Sequence, residues 1–468
     1  VSPSGISEND ERYIRTAIAL AKYRSPAGDT SVFDFIHDVL LTRIADGHDG
    51  SYRDAVTRFA MKFQQFSSPV MAKGIEDTAF YGYNRLVSLN EVGSDPRRFG
   101  IPPAEFHRAN RERLRDWPHT MLATSTHDSK RSEDVRARIN VLSEIPALWQ
   151  VRVQEWAQLN HKHKSAVDGR PAPSLNDEYL LYQTFVGVWP AKDLQEQTQR
   201  SAFTERIDSY MLKAIREAKQ NTSWINRNEF YEKAVSSFVK ALLDPEAGNR
   251  FHESFAPFQR RIARLGLWNS LSQTLLKLAS PGVPDIYQGN EVWDFSLVDP
   301  DNRRAIDYAA RREISDRIRA SDSSSRFAIG SLLENPDDGY LKMYVVKTIL
   351  WLRAQQPEIF ESGDYLPLEV RGTRADHLVA FIRKKRNAGV LVVVPRLVAG
   401  LLGDSDHPPI GRDVWQDTQI LLPTCDCSKI YRDAFTGEAI GTSVGEQGTH
   451  MAVSDALARF PVSICQIG

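Results

Sequence analysis

At 468 residues the chain exceeds what one compact core usually organises, so at least two cores are expected. Its 59 basic and 60 acidic residues leave a formal net charge of -1, which removes any general attraction to a polyanion; nucleic acid and anionic membranes are set aside as partners. Cys425, Cys427 and Cys465 make neither a disulfide framework nor a four-ligand metal set, and no apolar run of membrane-spanning length or signal peptide is visible, so a cytoplasmic location is expected.

In chain order, Ile14, Ile18 and Ala21, then Ile36, Leu40 and Ile44, then Tyr52, Val56, Phe59, Phe63 and Phe66 recur at helical spacing. Residues 1–68 are therefore expected to form a helical insertion that Pro69 ends. Residues 69–145 read as a barrel portion. An apolar, turn-rich stretch over 70–84 precedes a charged helix over 104–115. A short strand over 120–126 then ends at His127-Asp128, and a new helix begins near Asp134. Strand, polar tip and helix are the grammar of a β/α unit. Residues 146–250 are almost wholly helical, marked by Val153, Trp156 and Leu159, by Ile207, Tyr210 and Ala214, and by Phe230, Ala234 and Phe238, with a long polar connection over 162–173; they read as a second helical insertion. A further barrel portion covers 251–356: a helix over 255–278, the turn Ser280-Pro281-Gly282-Val283-Pro284, a short apolar stretch 285–287, a polar and aromatic loop to Arg304, and a last helix over 340–356. Residues 357–468 change to β-branched runs at 378–382, 390–394, 414–422 and 460–467, separated by Gly, Pro and Asp, as in an all-β domain.

Asp128 is the best-marked acid. It ends the predicted strand with His127 before it and the cations Lys130 and Arg131 after it. Strand ends on the C-terminal face of a β/α barrel carry active-site side chains, and a carboxylate there suits a positively charged, sugar-like transition state. The alternative is a helix N-cap, for which Ser129 and Ser132 are equally suited. One acid cannot serve as nucleophile, proton donor and charge stabiliser at once, and no convincing second and third carboxylate accompany it. The chain also opens on Val1 and runs directly into helical periodicity, so it is expected to be the C-terminal portion of a larger enzyme.

Lys73, Glu76 and Asp77 cluster beside Gly74 near predicted strand ends, to bind hydroxyls or to form a surface ion-pair network. Gln288, Asn290, Glu291 and Trp293, followed by Asp299, Asp301, Asn302, Arg303 and Arg304, mix planar hydrogen-bonding groups with an indole, a combination that suits sugar rings. His161 and His163 read as part of a solvated face. No glycine-rich dinucleotide or phosphate loop and no serine elbow is present, so neither a cofactor nor a metal is expected.

The runs Lys73-Gly74-Ile75-Glu76-Asp77 (continuing to Tyr81), Thr126-His127-Asp128-Ser129-Lys130-Arg131 (within 124–138), Thr222-Ser223-Trp224, Pro281-Gly282-Val283-Pro284-Asp285 (within 280–291) and Asp299-Pro300-Asp301-Asn302-Arg303-Arg304 resemble the maltooligosyl trehalose synthase branch of the alpha-amylase superfamily. The likeness extends over nearly the whole chain, including Trp415, Gly437 and Pro461-Val462. It implies the C-terminal part of a (β/α)8 TIM barrel with large helical insertions, followed by an all-β sandwich. It also implies an isomerase that converts the reducing-end α-1,4 link of maltooligosaccharides to an α,α-1,1 link, a step of trehalose biosynthesis. Asp128 would stabilise the transition state, while the nucleophilic aspartate and acid/base glutamate would lie on an N-terminal portion of the same enzyme, the expected partner. In this retaining scheme the released glucose rotates and attacks through its anomeric hydroxyl, walled from water by the second insertion. His127, Lys73, Glu76, Asp77, Lys130, Arg131, Gln288, Glu291, Trp293 and Arg303 would bind substrate, and Thr222, Ser223 and Trp224 would meet the terminal glucose. Ser129 stands where threonine is expected and Ala305 where proline is; neither change touches the chemistry. An amylase-like hydrolase or transferase, a glucan-binding fragment inactive by itself, and a scaffold protein are the alternatives.

Overall fold

The computed structural model of the chain describes residues 5–26, 28–190, 194, 196–244, 250–322, 329–423, 430–445 and 448–468. Two compact units emerge, residues 1–79 and 80–468. Cys425 and Cys427 lie outside the described residues.

The first unit is helical, as its periodicity requires. Glu8–Arg24 opens on a capping box in which the Asp10 N–H donates to Ser7 Oγ and the Ser7 N–H to Asp10 Oδ2, both at 3.2 Å. Ser31–Leu40 follows, then Gly50–Gly74, whose first turn is capped by Asp49 accepting from the Tyr52 N–H at 2.9 Å. Pro69 does not end this helix: it sits inside it, since a proline removes one N–H but leaves the ladder on either side. The π-helical turn Ile75–Ala79 closes the unit, so the stretch read as apolar and turn-rich is helical instead.

Among the described residues the second unit holds the strands. They are β1 (Met121–Leu122), β2 (Ser165–Val167), β3 (Arg170–Ala172), β4 (Val283–Pro284), β5 (Asp364–Pro367), β6 (Val370–Arg371), β7 (Leu378–Lys385), β8 (Ala388–Pro395), β9 (Gln419–Leu421), β10 (Tyr431–Asp433), β11 (Ala439–Ile440), β12 (Ser443–Gly445), β13 (Gly448–Ala452) and β14 (Ser463–Ile467). β1 and β4 pair in parallel, Met121 opposite Val283 and Leu122 opposite Pro284. Parallel neighbours need a long crossover, and here it contains the helices Glu133–Asn140, Pro146–Asn160, Leu175–Val188, Gln197–Ala218, Glu229–Leu243 and Arg250–Ala279. Arg250–Ala279 returns the chain to β4 and packs on Glu133–Asn140. At Gly266 a Cβ would stand 2.8 Å from Arg138 Cα, so the approach is closed to any larger residue.

The polar connection over 162–173 is the hairpin β2–β3, not a loop. Asp168 and Gly169 both take positive φ, 52° and 74°, the two-residue turn that Asp-Gly favours. Leu175–Val188 is buried at eleven of its fourteen positions, enclosed by neighbours on several sides.

From Asp364 on the chain builds two antiparallel sheets, one ordered β11-β10-β14-β8-β7-β5 and the other β12-β13-β9-β6. β7 and β8 are joined register for register from Leu378 opposite Pro395 to Lys385 opposite Ala388, and both read as continuous apolar runs because both faces are covered. Buried Arg383 on β7 ties this domain to the rest of the unit by donating to the carbonyls of Ala279, Phe360 and Gly363 at 3.0–3.2 Å.

Candidate functional site

Asp128 lies on the turn that follows β1, its side chain 51% exposed. It is not the N-cap of the next helix. Ser132 is, its Oγ accepting from the Val135 N–H, so the carboxylate of Asp128 is not taken up in capping. Several short contacts fix the turn around it. Thr126 Oγ1 accepts from the Asp128 N–H at 3.2 Å and Ser129 Oγ from the Thr126 N–H at 2.9 Å. Glu91 accepts from the Lys130 N–H at 2.9 and 3.1 Å and from the Arg131 N–H at 3.3 Å. From the other side, Asn302 donates to the His127 carbonyl at 3.0 Å, while Tyr287 donates to the Asn302 carbonyl at 3.2 Å. Buried Lys130 brings its ammonium 3.6 Å from the Asp128 carboxylate, and His127 is exposed beside it.

Beneath the turn lies a buried ionic network. Lys342 Nζ is 2.8 Å from both Glu133 Oε1 and Asp134 Oδ2, and Lys277 Nζ is 3.2 Å from Glu133 Oε2 and 2.8 Å from Thr124 Oγ1. Thr124 donates to Glu133, Ser270 to Asp134, and the Asp294 N–H to Asp134 at 2.8 Å. Burial by itself would raise the Glu133 carboxyl, but the charges of Lys342 and Lys277 prevail and hold it down at about 2. For Asp134 burial prevails, with the Glu133 charge adding to it, and its carboxyl is raised despite Lys342. The network joins the β1 end, three helices and the loop after β4, so one set of ion pairs positions both loops that flank Asp128.

The helix Gln197–Ala218 runs along these loops. Arg206 clasps Asp301 with three contacts of 2.8–3.0 Å, Tyr210 Oη meets an Arg131 amino group at 2.7 Å, and Lys213 Nζ reaches Asp299 Oδ1 at 2.9 Å and its carbonyl at 2.6 Å. Positions 206, 210 and 213 share a helix face. Partial burial would raise the Asp299 carboxyl, but the hydrogen bond and charge of Lys213, with Arg303 and Lys130 further off, keep it below its usual value.

Other expected substrate contacts prove to be internal. Arg131 is buried and directed at Tyr210 and the Val87 carbonyl, because the turn folds it inward under Glu91. Trp293 donates its indole N–H to the Pro336 carbonyl at 2.7 Å and lies over Lys342, so its ring belongs to the network and not to an open groove. Glu291 pairs with Arg311 at 3.2 Å. Thr222 is buried and donates to Glu232 Oε1 at 2.9 Å, and Ser223 pairs locally with Asn226. Gln288 and Arg303 are exposed, as is Trp224. Lys73 and Asp77 form an i,i+4 ion pair, with Glu76 on the turn between, all on helical backbone of the first unit and not at a strand end. The residues not foreseen are Glu91, Glu133, Asp134, Lys277 and Lys342. The two lysines carry a legible signal, since each falls at a core phase of an apolar helix, among Leu341, Val345 and Ile349 or among Thr274, Leu275 and Leu278.

Among the described residues no group of three or more His, Cys, Asp or Glu side chains is placed to hold a metal ion, and no helix is long and apolar enough to cross a membrane.

Comparison with protein-family models finds no match. Comparison with curated sequences finds the protein named "Putative maltooligosyl trehalose synthase" in Mycobacterium tuberculosis, 39% identical over 361 residues, 76% of this chain and 42% of that protein. Among solved structures, the maltooligosyltrehalose synthase from Arthrobacter ramosus superposes with a TM-score of 0.77 at 34% identity, over 98% of this chain and 51% of that one. A second crystal structure of a maltooligosyl trehalose synthase gives 0.69 at 32%, over 93% and 54%. The chain thus spans about half the length of the relatives it matches. The β1–β4 pair with its helices corresponds to the TIM-barrel-derived part of that fold, and the two antiparallel sheets to its β-rich C-terminal region.

Proposed function

The chain is homologous to maltooligosyl trehalose synthase, an enzyme of the alpha-amylase superfamily, and on that premise we propose that it supplies the transition-state-stabilising half of an enzyme that isomerises the reducing end of maltooligosaccharides from an α-1,4 to an α,α-1,1 link. The observation that carries this reading is the half-exposed carboxylate of Asp128 on a turn fixed from both sides, in the connection that leaves the C-terminal end of the parallel strand β1. A fixed negative charge in that position opposes the positive charge that develops on the anomeric carbon and ring oxygen as the glycosidic bond breaks. Lys130 and the clasped turn keep the carboxylate from swinging away, so little reorganisation accompanies the reaction. The displacement itself needs a nucleophilic carboxylate and a proton donor from an N-terminal portion of the enzyme.

The strand pair supports such a partner. Among the described residues β1 and β4 form a two-stranded parallel sheet, and the apolar Met121 and Val283 are 67% and 46% exposed on it. Parallel sheets are ordinarily covered on both faces and continued at their edges, so further barrel strands fit here. A cytoplasmic location belongs to the same proposal.

Incubation of maltopentaose with this chain joined to the N-terminal portion should remove reducing ends without releasing glucose in proportion, and the chain by itself should be inactive. A net rise in reducing ends would favour an amylase-like hydrolase, and substantial turnover by the chain alone would refute the missing-carboxylate argument.

A further inference from the structure

One turn past Lys213, the helix Gln197–Ala218 carries Arg216, about 4.5 Å further along the axis at 1.5 Å per residue. Its guanidinium lies over the ring of Trp224, 4.9 Å from the centroid, and Trp224 remains 50% exposed. Arg216 is not free to swing. Its Nε and one amino group bind Glu232 as a fork, at 3.0 and 2.7 Å, from the neighbouring helix Glu229–Leu243. Glu232 also accepts from Thr222 Oγ1 at 2.9 Å and from Arg227 at 2.6 Å, and Thr222 in turn accepts from the Asn228 N–H at 2.9 Å. One carboxylate therefore locks both the cation behind the indole and the chain on either side of it. The same loop lines a cleft of about 570 Å³, within the range of small-molecule sites, with Gln220, Asn221, Ser223, Asn226, Arg227 and Phe230 on its wall and Trp224 next to that wall in sequence but not part of it. An indole with one face backed by a cation and side-chain amides close by is the pairing that a pyranose needs, an apolar C–H face and a ring of hydroxyls.

We propose that Arg216 and Glu232 are positioning residues that hold Trp224 as an exposed stacking platform for an α-glucosyl ring of the substrate, on the loop that also lines the neighbouring cleft. The proposal rests on the glucan-acting reading above and adds to it the residues that shape this subsite. Glu232 makes no contact with sugar; it acts through Arg216 and the 222–228 loop. A structural carboxylate of the insertion would affect folding alone, whereas this one affects affinity and the environment of a single indole.

Binding of maltopentaose to the full chain should be followed by calorimetry and by tryptophan emission, with Trp224→Phe used to subtract the other indoles. Trp224→Ala, at an exposed position that does not threaten the core, should weaken binding about tenfold. Glu232→Gln and Arg216→Lys should each weaken it by about threefold or more and shift the emission assigned to Trp224, whereas Trp224→Phe should retain most of the affinity. Binding of Trp224→Ala indistinguishable from wild type, or no binding by the wild-type chain, would overturn the proposal. So would unchanged affinity and unchanged Trp224 emission in folded Glu232→Gln. If binding depends on Trp224 while the joined enzyme forms no non-reducing product, the platform stands and the proposed reaction fails. If the product forms at wild-type kcat and KM in Trp224→Ala, the reaction stands and the platform fails.

Discussion

Replacing Lys342 with methionine removes the ammonium that both Glu133 and Asp134 share while leaving the volume of the site nearly filled. Lys342 is fully buried and each carboxylate oxygen is 2.8 Å from it, so water cannot take its place. Breaking a buried pair from one side leaves an uncompensated charge and costs about 3–5 kcal/mol. An unfolding entropy of about 2 cal/mol/K per residue gives a unit the size of residues 80–468 about 0.8 kcal/mol/K, so the melting midpoint should fall by about 4–6 °C. The loss should depend on pH in a particular direction. Without the cation, the already raised carboxyl of Asp134 rises further, and the folded variant binds its proton more tightly than the unfolded chain does. Its deficit against the wild type should therefore be larger at pH 8 than at pH 5. Adding Asp134→Asn to Lys342→Met should recover part of the loss by removing the charge that was left unpaired. The assay is a thermal melt followed by near-ultraviolet circular dichroism. A midpoint change under about 1 °C, or a deficit with no pH dependence, would refute the view that these ion pairs hold the loops in place.

Acid titration of the wild type tests the same network. The Glu133 carboxyl is held down at about 2 against an ordinary 4.5, so its stabilisation is complete above pH 4.5 and is lost as pH falls toward 2; Glu133→Gln should flatten the melting curve in that window. Asp433 behaves in the opposite sense: burial pushes it up to about 6, so its contribution favours the fold below pH 3.8 and is lost as pH rises through 6. Asp433→Asn should therefore raise the melting midpoint at pH 8 relative to pH 4, and an equal shift at both would contradict the assignment. Gly266→Ala should destabilise by about 1–3 kcal/mol because the new Cβ meets the Arg138 backbone, although the same change in an open helix stabilises. Glu91→Ala should lower kcat of the joined enzyme on the order of tenfold with a smaller effect on KM, because two N–H groups of the Asp128 turn lose their acceptor; an unchanged kcat would remove Glu91 from the positioning role.

A helix with one wet face was legible from its periodicity, and a strand covered on both faces from its continuous apolar run. The run Leu341, Val345, Ile349 and Leu352 forecast the helix Tyr340–Gln355 almost to the residue, and the runs at 378–382 and 390–394 mark β7 and β8. In an enclosed helix the periodicity vanishes, and Leu175–Val188 went unmarked because enclosure on most sides leaves no polar stripe. The hairpin at Asp168-Gly169 was read as part of a long polar connection, although its Asp-Gly turn is the chemistry that a tight hairpin uses. The placement of Asp128 on a turn after a strand, with a cation beside it, was readable from local sequence. Glu91 was not, because its partners are backbone N–H groups 39 and 40 residues away, and nothing in a side-chain pattern reports a backbone acceptor. Arg131 and Trp293 were misjudged for a related reason: a polar or aromatic side chain near a strand end has the same composition whether it turns outward to a ligand or inward to a network.

The contacts at Arg206, Tyr210 and Lys213 have a dynamic consequence. A helix whose one face is fastened at three levels to the loops bearing Asp301, Arg131 and Asp299 cannot fray or rotate without releasing all of them together. Local opening of this helix and exposure of the Asp128 turn should then be a single cooperative event. In amide hydrogen exchange, residues 127–131 should exchange at the rate of the Gln197–Ala218 helix, slower than a surface turn of that length would by itself.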